Sequence, residues 1–155
     1  MNAHVALEKL RNSLFQTAAA PPRILVVDDE KSVCRFVSRV LTGGGYEVET
    51  AYSAATALEK FDAGATFDLV VSDVRMPSLS GPRFVEQLRR LGSDVKVLYL
   101  TGYNDQLFSE RHALWADEAF LDKPCSVKGL LESVALMLYG RLAPPSSSSP
   151  HERRH

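Results

Sequence analysis

Scarce cysteine sets the first limits on this chain. Its 155 residues include two cysteines, Cys34 and Cys125, too few for a disulfide scaffold and without the spacing of a zinc cluster. Cys34 falls in a helical pattern and Cys125 follows a Lys-Pro, so both are expected as reduced thiols. No run approaches ~18 consecutive apolar residues, and no basic stretch followed by an apolar one opens the chain. The expectation is a cytoplasmic protein with no membrane contact. The nine glycines form neither GxGxxG after a strand nor GxxxxGK[ST], which removes the phosphate loops of the nucleotide-binding folds. A formal net charge of −1 gives no support to direct nucleic-acid binding. Charge is also uneven: residues 1–20 and 146–155 are each +1, leaving the middle at −3.

What remains is an ordinary globular composition, 45% apolar and 24% charged, with room for one domain. Residues 1–20 read as an N-terminal extension with a short helical stripe, Leu7, Leu10 and Leu14. It either frays or lays that stripe on the domain or on a second copy. Pro21-Pro22 mark the start of a domain expected over residues 21–143. The Pro/Ser-rich tail, residues 144–155, is expected to be disordered.

Inside the domain, short β-branched runs alternate with stretches of helical period. Arg23–Val27 is a strand, followed by a helix with Val33, Phe36, Val37, Val40 and Leu41 on its inner face and Gly43-Gly44-Gly45 at its end. Tyr46–Ala51 is a second strand, and Ser53 caps a helix carrying Ala57, Leu58 and Phe61 inward. The third strand, Phe67–Ser72, opens the central stretch FDLVVSDVRMPSLSG. Ser80 then caps a helix burying Phe84, Val85, Leu88 and Leu91. Val95–Leu100 is a fourth strand, 105–116 a weaker helix and Ala119–Leu121 a short fifth strand. Ser126 opens a last helix with Val127, Leu130, Leu131, Val134, Leu138 and Leu142 inward. Five strand–helix repeats with short connections predict a doubly wound α/β fold, a five-stranded parallel sheet with five helices.

In such a sheet the C-terminal ends of the strands share one edge, where open α/β folds keep their chemistry. Strand one ends in Asp28 and Asp29, strand three in Asp73, strand four in Thr101 and strand five in Lys123. Three converging carboxylates repel unless a cation sits among them. All-oxygen donors without His or Cys point to Mg²⁺. Lys123 and the Thr101 hydroxyl add the donors that meet a phosphoryl group, and an aspartate can be its nucleophile.

From about Arg23 to Leu142 the chain resembles the receiver domain of bacterial two-component response regulators. The resemblance rests on VDDE with Asp28-Asp29, SDVRMP with Asp73, Thr101-Gly102, and FLDKP with Lys123-Pro124, in family order. It implies the flavodoxin-like strand order 2-1-3-4-5. It also implies that Asp73 accepts a phosphoryl group from a histidine kinase or a histidine phosphotransfer protein. Mg²⁺ would be held directly by Asp29, mostly through water by Asp28, and also by Asp73 and the backbone carbonyl of Arg75. Thr101 and Lys123 would hold the phosphoryl oxygens, Phe120 would be the aromatic switch, and the Lys123-Pro124 bond would be cis. Such a domain is no enzyme in the usual sense, catalysing only its own Mg²⁺-dependent phosphorylation and slow dephosphorylation.

Several expectations follow from the departures. Phe120 stands where tyrosine is common, which excludes any readout through a phenolic hydroxyl. Arg75 and Tyr103 flank the site and are expected to shield the acyl phosphate, lengthening its life. Arg75 also occupies the position where haloacid-dehalogenase-type phosphohydrolases need a second aspartate. No output domain is apparent, so a stand-alone receiver is expected. It would act on an unidentified downstream protein through a surface including Gln106, Glu110, Arg111, Asp117, Lys128 and Tyr139, with a homodimer left open. The competing reading is a degenerate receiver serving as a phosphorylation-independent binding or dimerisation module.

Overall fold

A computed structural model describes residues 3–7, 20–102 and 117–140. Its sheet has five parallel strands, β1 (Arg23–Val27), β2 (Glu47–Ala51), β3 (Leu69–Asp73), β4 (Lys96–Thr101) and β5 (Glu118–Asp122), in the order β2-β1-β3-β4-β5. The doubly wound, flavodoxin-like class is thus present. Four helices accompany the sheet among the described residues: α1 (Lys31–Gly43), α2 (Ala54–Asp62), α3 (Gly81–Arg90) and α4 (Val127–Tyr139). The helix expected at 105–116 lies outside the described residues, as does most of the N-terminal stripe. Residues 3–7 are helical, with Val5 and Leu7 exposed.

Alternation along the strands sends side chains to two cores. Ile24, Val26, Leu69, Val71, Leu98 and Leu100 pack against Cys34, Val37 and Leu41 of α1 and Leu130 and Val134 of α4. Leu25, Val27, Val70, Val97 and Tyr99 pack against Ala54 and Ala57 of α2 and Phe84, Val85 and Leu88 of α3. β3 is buried along its whole length. A central parallel strand covered on both faces requires this, and it accounts for the unalternating Leu69-Val70-Val71. The expected caps also form: Ser53 accepts from the Thr56 amide, Ser80 from Arg83 and Ser126 from Gly129, satisfying orphan donors of each first turn. Gly45 takes a left-handed φ of 93° just beyond α1, where a side chain would be strained.

Three expected core residues face outward. Phe36 is 40% exposed, because the buried line of α1 is Cys34, Val37 and Leu41 and Phe36 falls well off it at 100° per residue. Leu91 is exposed because α3 has already ended and Leu91 is its C-cap. Val127 is exposed because it opens the first turn of α4, ahead of the buried Leu130. Apolar character marked these positions, but helical phase decided them.

The end of the sheet remote from the acids is tied by one side chain. Arg23 donates its amide to Asp68 Oδ2 at 2.8 Å and its guanidinium to the Thr66 carbonyl at 2.9 Å and Glu49 Oε2 at 2.6 Å. The same guanidinium lies 5.1 Å over the Phe67 ring, a cation–π contact. β1 is thereby fastened to β2 and β3 at the point where the chain enters the domain.

Candidate functional site

Each expected acid arrives at the rim on a strand end. Asp28 follows β1 with its amide donating to the Ala51 carbonyl at 3.1 Å, and its side chain is fully buried. Its Oδ1 accepts the Glu30 amide at 2.9 Å, a local turn that orients the carboxylate. Asp29 is exposed. Asp73, the last residue of β3, is 5% exposed, and its Oδ1 accepts the Arg75 amide at 3.3 Å. Ligand oxygens of Asp28, Asp29 and Asp73 all lie within 4.8 Å of one another.

Lys123 enters from β5. Its Nζ lies 3.1 Å from Asp73 Oδ1 and 3.4 Å from Asp28 Oδ2, and its backbone amide donates to the Thr101 carbonyl at 2.7 Å. The Lys123-Pro124 bond is cis, as expected. Beside it, the exposed Phe36 lines an apolar groove with Val33, Pro124 and Cys125.

The electrostatics follow first from burial. Burial, then repulsion from Asp28, pushes the Asp73 carboxyl up to about 6 against the pull of Lys123 and the Arg75 amide. Burial also raises Asp28, with the Glu30 amide and Lys123 opposing it. For Lys123, burial acts downward, but Asp28 and Asp73 outweigh it and the ammonium is held more firmly protonated. Lys123 is thus held against two of the three clustered carboxylates, Asp28 and Asp73. An all-oxygen donor set of this kind fits a hard divalent cation.

Thr101 sits at the end of β4, 7% exposed, and its hydroxyl donates to Asp122 Oδ1 at 3.0 Å. Phe120 is 47% exposed. Gly81 opens α3 against the end of β3. A Cβ there would collide with the backbone carbonyl oxygen of Asp73, and the Gly81 amide donates to the Val74 carbonyl at 2.9 Å. Asp122 and Gly81 were not among the expected site residues. Asp122 falls just past the expected fifth strand and Gly81 just after the expected cap Ser80, and only strand register and close approach reveal their places. Tyr103, Gln106, Glu110 and Arg111 lie outside the described residues, whereas Asp117, Lys128 and Tyr139 lie within them.

Residues 24–135 match the family model of the response regulator receiver domain. The chain is 38% identical over 138 residues to sensor kinase CckA of Brucella abortus, covering 88% of this chain but 15% of that kinase's length. It is 31% identical to chemotaxis protein CheY of Treponema pallidum, covering 77% of this chain and 84% of that protein. The crystal structure of chemotaxis protein CheY4 of Vibrio cholerae superposes with a TM-score of 0.68 at 33% identity, over 77% of this chain and all of that one.

Proposed function

This chain belongs to the response regulator receiver domain family, and on that premise we propose that Asp73 is its phosphoacceptor. The donor would be the phosphohistidine of a histidine kinase or a histidine phosphotransfer protein. The observation that carries this reading is the convergence of Asp73 with Asp28, Asp29 and Lys123 at one strand edge. In the transfer, an Asp73 carboxylate oxygen forms a bond to phosphorus as the phosphorus–nitrogen bond breaks. The imidazole leaves as the neutral base after taking a proton from solvent.

Asp28, Asp29 and Asp73 would hold Mg²⁺, together with the backbone carbonyl of Arg75. When bound, the cation would supply charge neutralisation to the three clustered carboxylates. Lys123 already stands 3.1 Å from the nucleophile and has three N–H donors, so it can follow the charge onto a phosphoryl oxygen. The Thr101 hydroxyl and Phe120 would carry the result to a partner surface on the β4–β5 side. The functional unit runs over about residues 21–143, a range the match over 24–135 supports. Among the described residues no helix is long and apolar enough to cross a membrane.

The test is incubation with acetyl phosphate and Mg²⁺ followed by intact mass measurement. The expected result is an added phosphoryl mass in the wild-type chain and none in Asp73→Asn. A wild-type chain that gains no mass would instead support a phosphorylation-independent binding module.

A further inference from the structure

Parallel register places three pairs on one face of the β4–β5 ladder: Val97 with Glu118, Tyr99 with Phe120 and Thr101 with Asp122. Along that face β5 presents acid, aromatic, acid, and each acid takes a hydroxyl from β4. Tyr99 donates to Glu118 Oε1 at 2.8 Å, and Thr101 donates to Asp122 Oδ1 at 3.0 Å. These two bonds look alike but differ in the cost of breaking them. Tyr99 is fully buried and Glu118 is 8% exposed, so their bond is made away from water. Asp122 is exposed, so when it loses Thr101 its carboxylate simply returns to solvent.

We propose that Asp122 is a latch on Thr101, a positioning residue that sets how readily the chain adopts its phosphorylated form. The inference rests on Asp73 being the phosphoacceptor. A threonine hydroxyl has a single proton to donate. In the unphosphorylated chain that proton goes to the Asp122 carboxylate, and an oxygen of a phosphoryl group on Asp73 must compete for it. Each anion displaces the other from one donor, so binding at Asp73 and release of Asp122 are two sides of one equilibrium. The exchange also changes β5 locally. With Thr101 withdrawn, Asp122 loses its cross-strand partner two residues from the outward-facing Phe120, on the strand's edge.

Because the competing bond is charge-assisted yet ends in a solvated carboxylate, its removal should matter by roughly three- to tenfold. The measurement is the affinity for beryllofluoride in the presence of Mg²⁺, titrated by NMR on the full chain, alongside thermal stability. D122A should bind beryllofluoride three- to tenfold more tightly than wild type. D122N, which keeps an acceptor oxygen without the charge, should fall between them. In a Thr101→Val background the effect of D122A should vanish, since no hydroxyl remains to be contested. The latch is overturned if wild type binds beryllofluoride and D122A binds it equally or more weakly with a lower melting temperature, because Asp122 then only zips an edge strand. If wild type shows no response to beryllofluoride, the phosphoacceptor reading itself has failed, and the latch with it.

Discussion

Lys123 Nζ stands 3.1 Å from Asp73 Oδ1, joining the end of the fifth strand to the end of the third. The same ammonium lies 3.4 Å from the fully buried Asp28. A single cation thus holds two of the rim's acids, and most consequences of altering the site pass through it.

Replacing Lys123 with Met keeps the aliphatic stem and removes the charge. An incoming phosphoryl group then loses its ammonium, and Asp28 and Asp73 lose their common counterion. Phosphorylation by acetyl phosphate should slow by at least about tenfold, measured as the initial rate of mass gain. A rate within twofold of wild type would remove Lys123 from the proposed chemistry.

Asp73→Asn should stabilise the metal-free chain at neutral pH. The substitution keeps the shape and removes a buried charge that faces Asp28, a gain on the order of 1–3 kcal/mol. Addition of Mg²⁺ should narrow the difference, because it favours the wild-type carboxylate. Urea unfolding with EDTA and with Mg²⁺ gives both numbers, and a less stable Asn variant in EDTA would show that the charge is already compensated.

Gly81→Ala should do damage out of proportion to one methyl group. The added Cβ meets the Asp73 carbonyl oxygen, a backbone atom that cannot swing aside, so strand or helix must move. A loss of about 1–3 kcal/mol in stability is expected, with slower phosphorylation because the backbone of the proposed phosphoacceptor shifts. Circular dichroism melts and acetyl phosphate labelling would register the two effects together.

Ser78 should yield the opposite outcome. It holds a φ of 70° under a Leu79 amide that donates to the Pro77 carbonyl at 2.8 Å, a left-handed turn that costs an L-residue about 1–2 kcal/mol. Ser78→Gly relieves the strain but frees the unfolded chain, leaving a net gain of roughly 0.5–1 kcal/mol in chemical denaturation. A loss of stability on substitution would mean that the hydroxyl contributes more than the strain costs.

Tyr46 provides a dependence on alkaline pH. Burial first, and Tyr139 second, push its phenol up to about 12 from 10.0, so the folded chain keeps a proton that the unfolded chain gives up. A raised acid of this kind contributes stability below the unfolded value, which is lost as pH climbs through the folded one. Wild type should lose about 1 kcal/mol more than Tyr46→Phe between pH ~9 and pH ~11. Parallel slopes in the two proteins over that range would dismiss the effect.

Much of this arrangement is legible in the sequence itself. The apolar runs ending in Asp28, Asp73, Thr101 and Lys123 mark strand ends, and parallel topology alone brings such ends to one edge. Less legible was anything depending on rotation or register. Phe36 looked like core because it is apolar, but its phase on α1 turns it away. Asp122 falls one residue past the expected fifth strand, and only the pairing of Thr101 with Asp122 makes it the hydroxyl's acceptor. Gly81 looked like an ordinary first-turn residue, because a sequence does not print how closely a helix approaches a neighbouring carbonyl. Spacing reveals which residues can meet, and packing decides which atoms they offer.

The knot around Arg23 has a mechanical meaning. A pull on the residues ahead of it would load Asp68, Thr66 and Glu49 before reaching the strand that ends at Asp28, much as a clamp takes the tension off a cable before its terminals. The acid rim lies at the other end of the same strand. A large cargo fused ahead of Pro21 should ride along without detuning the switch.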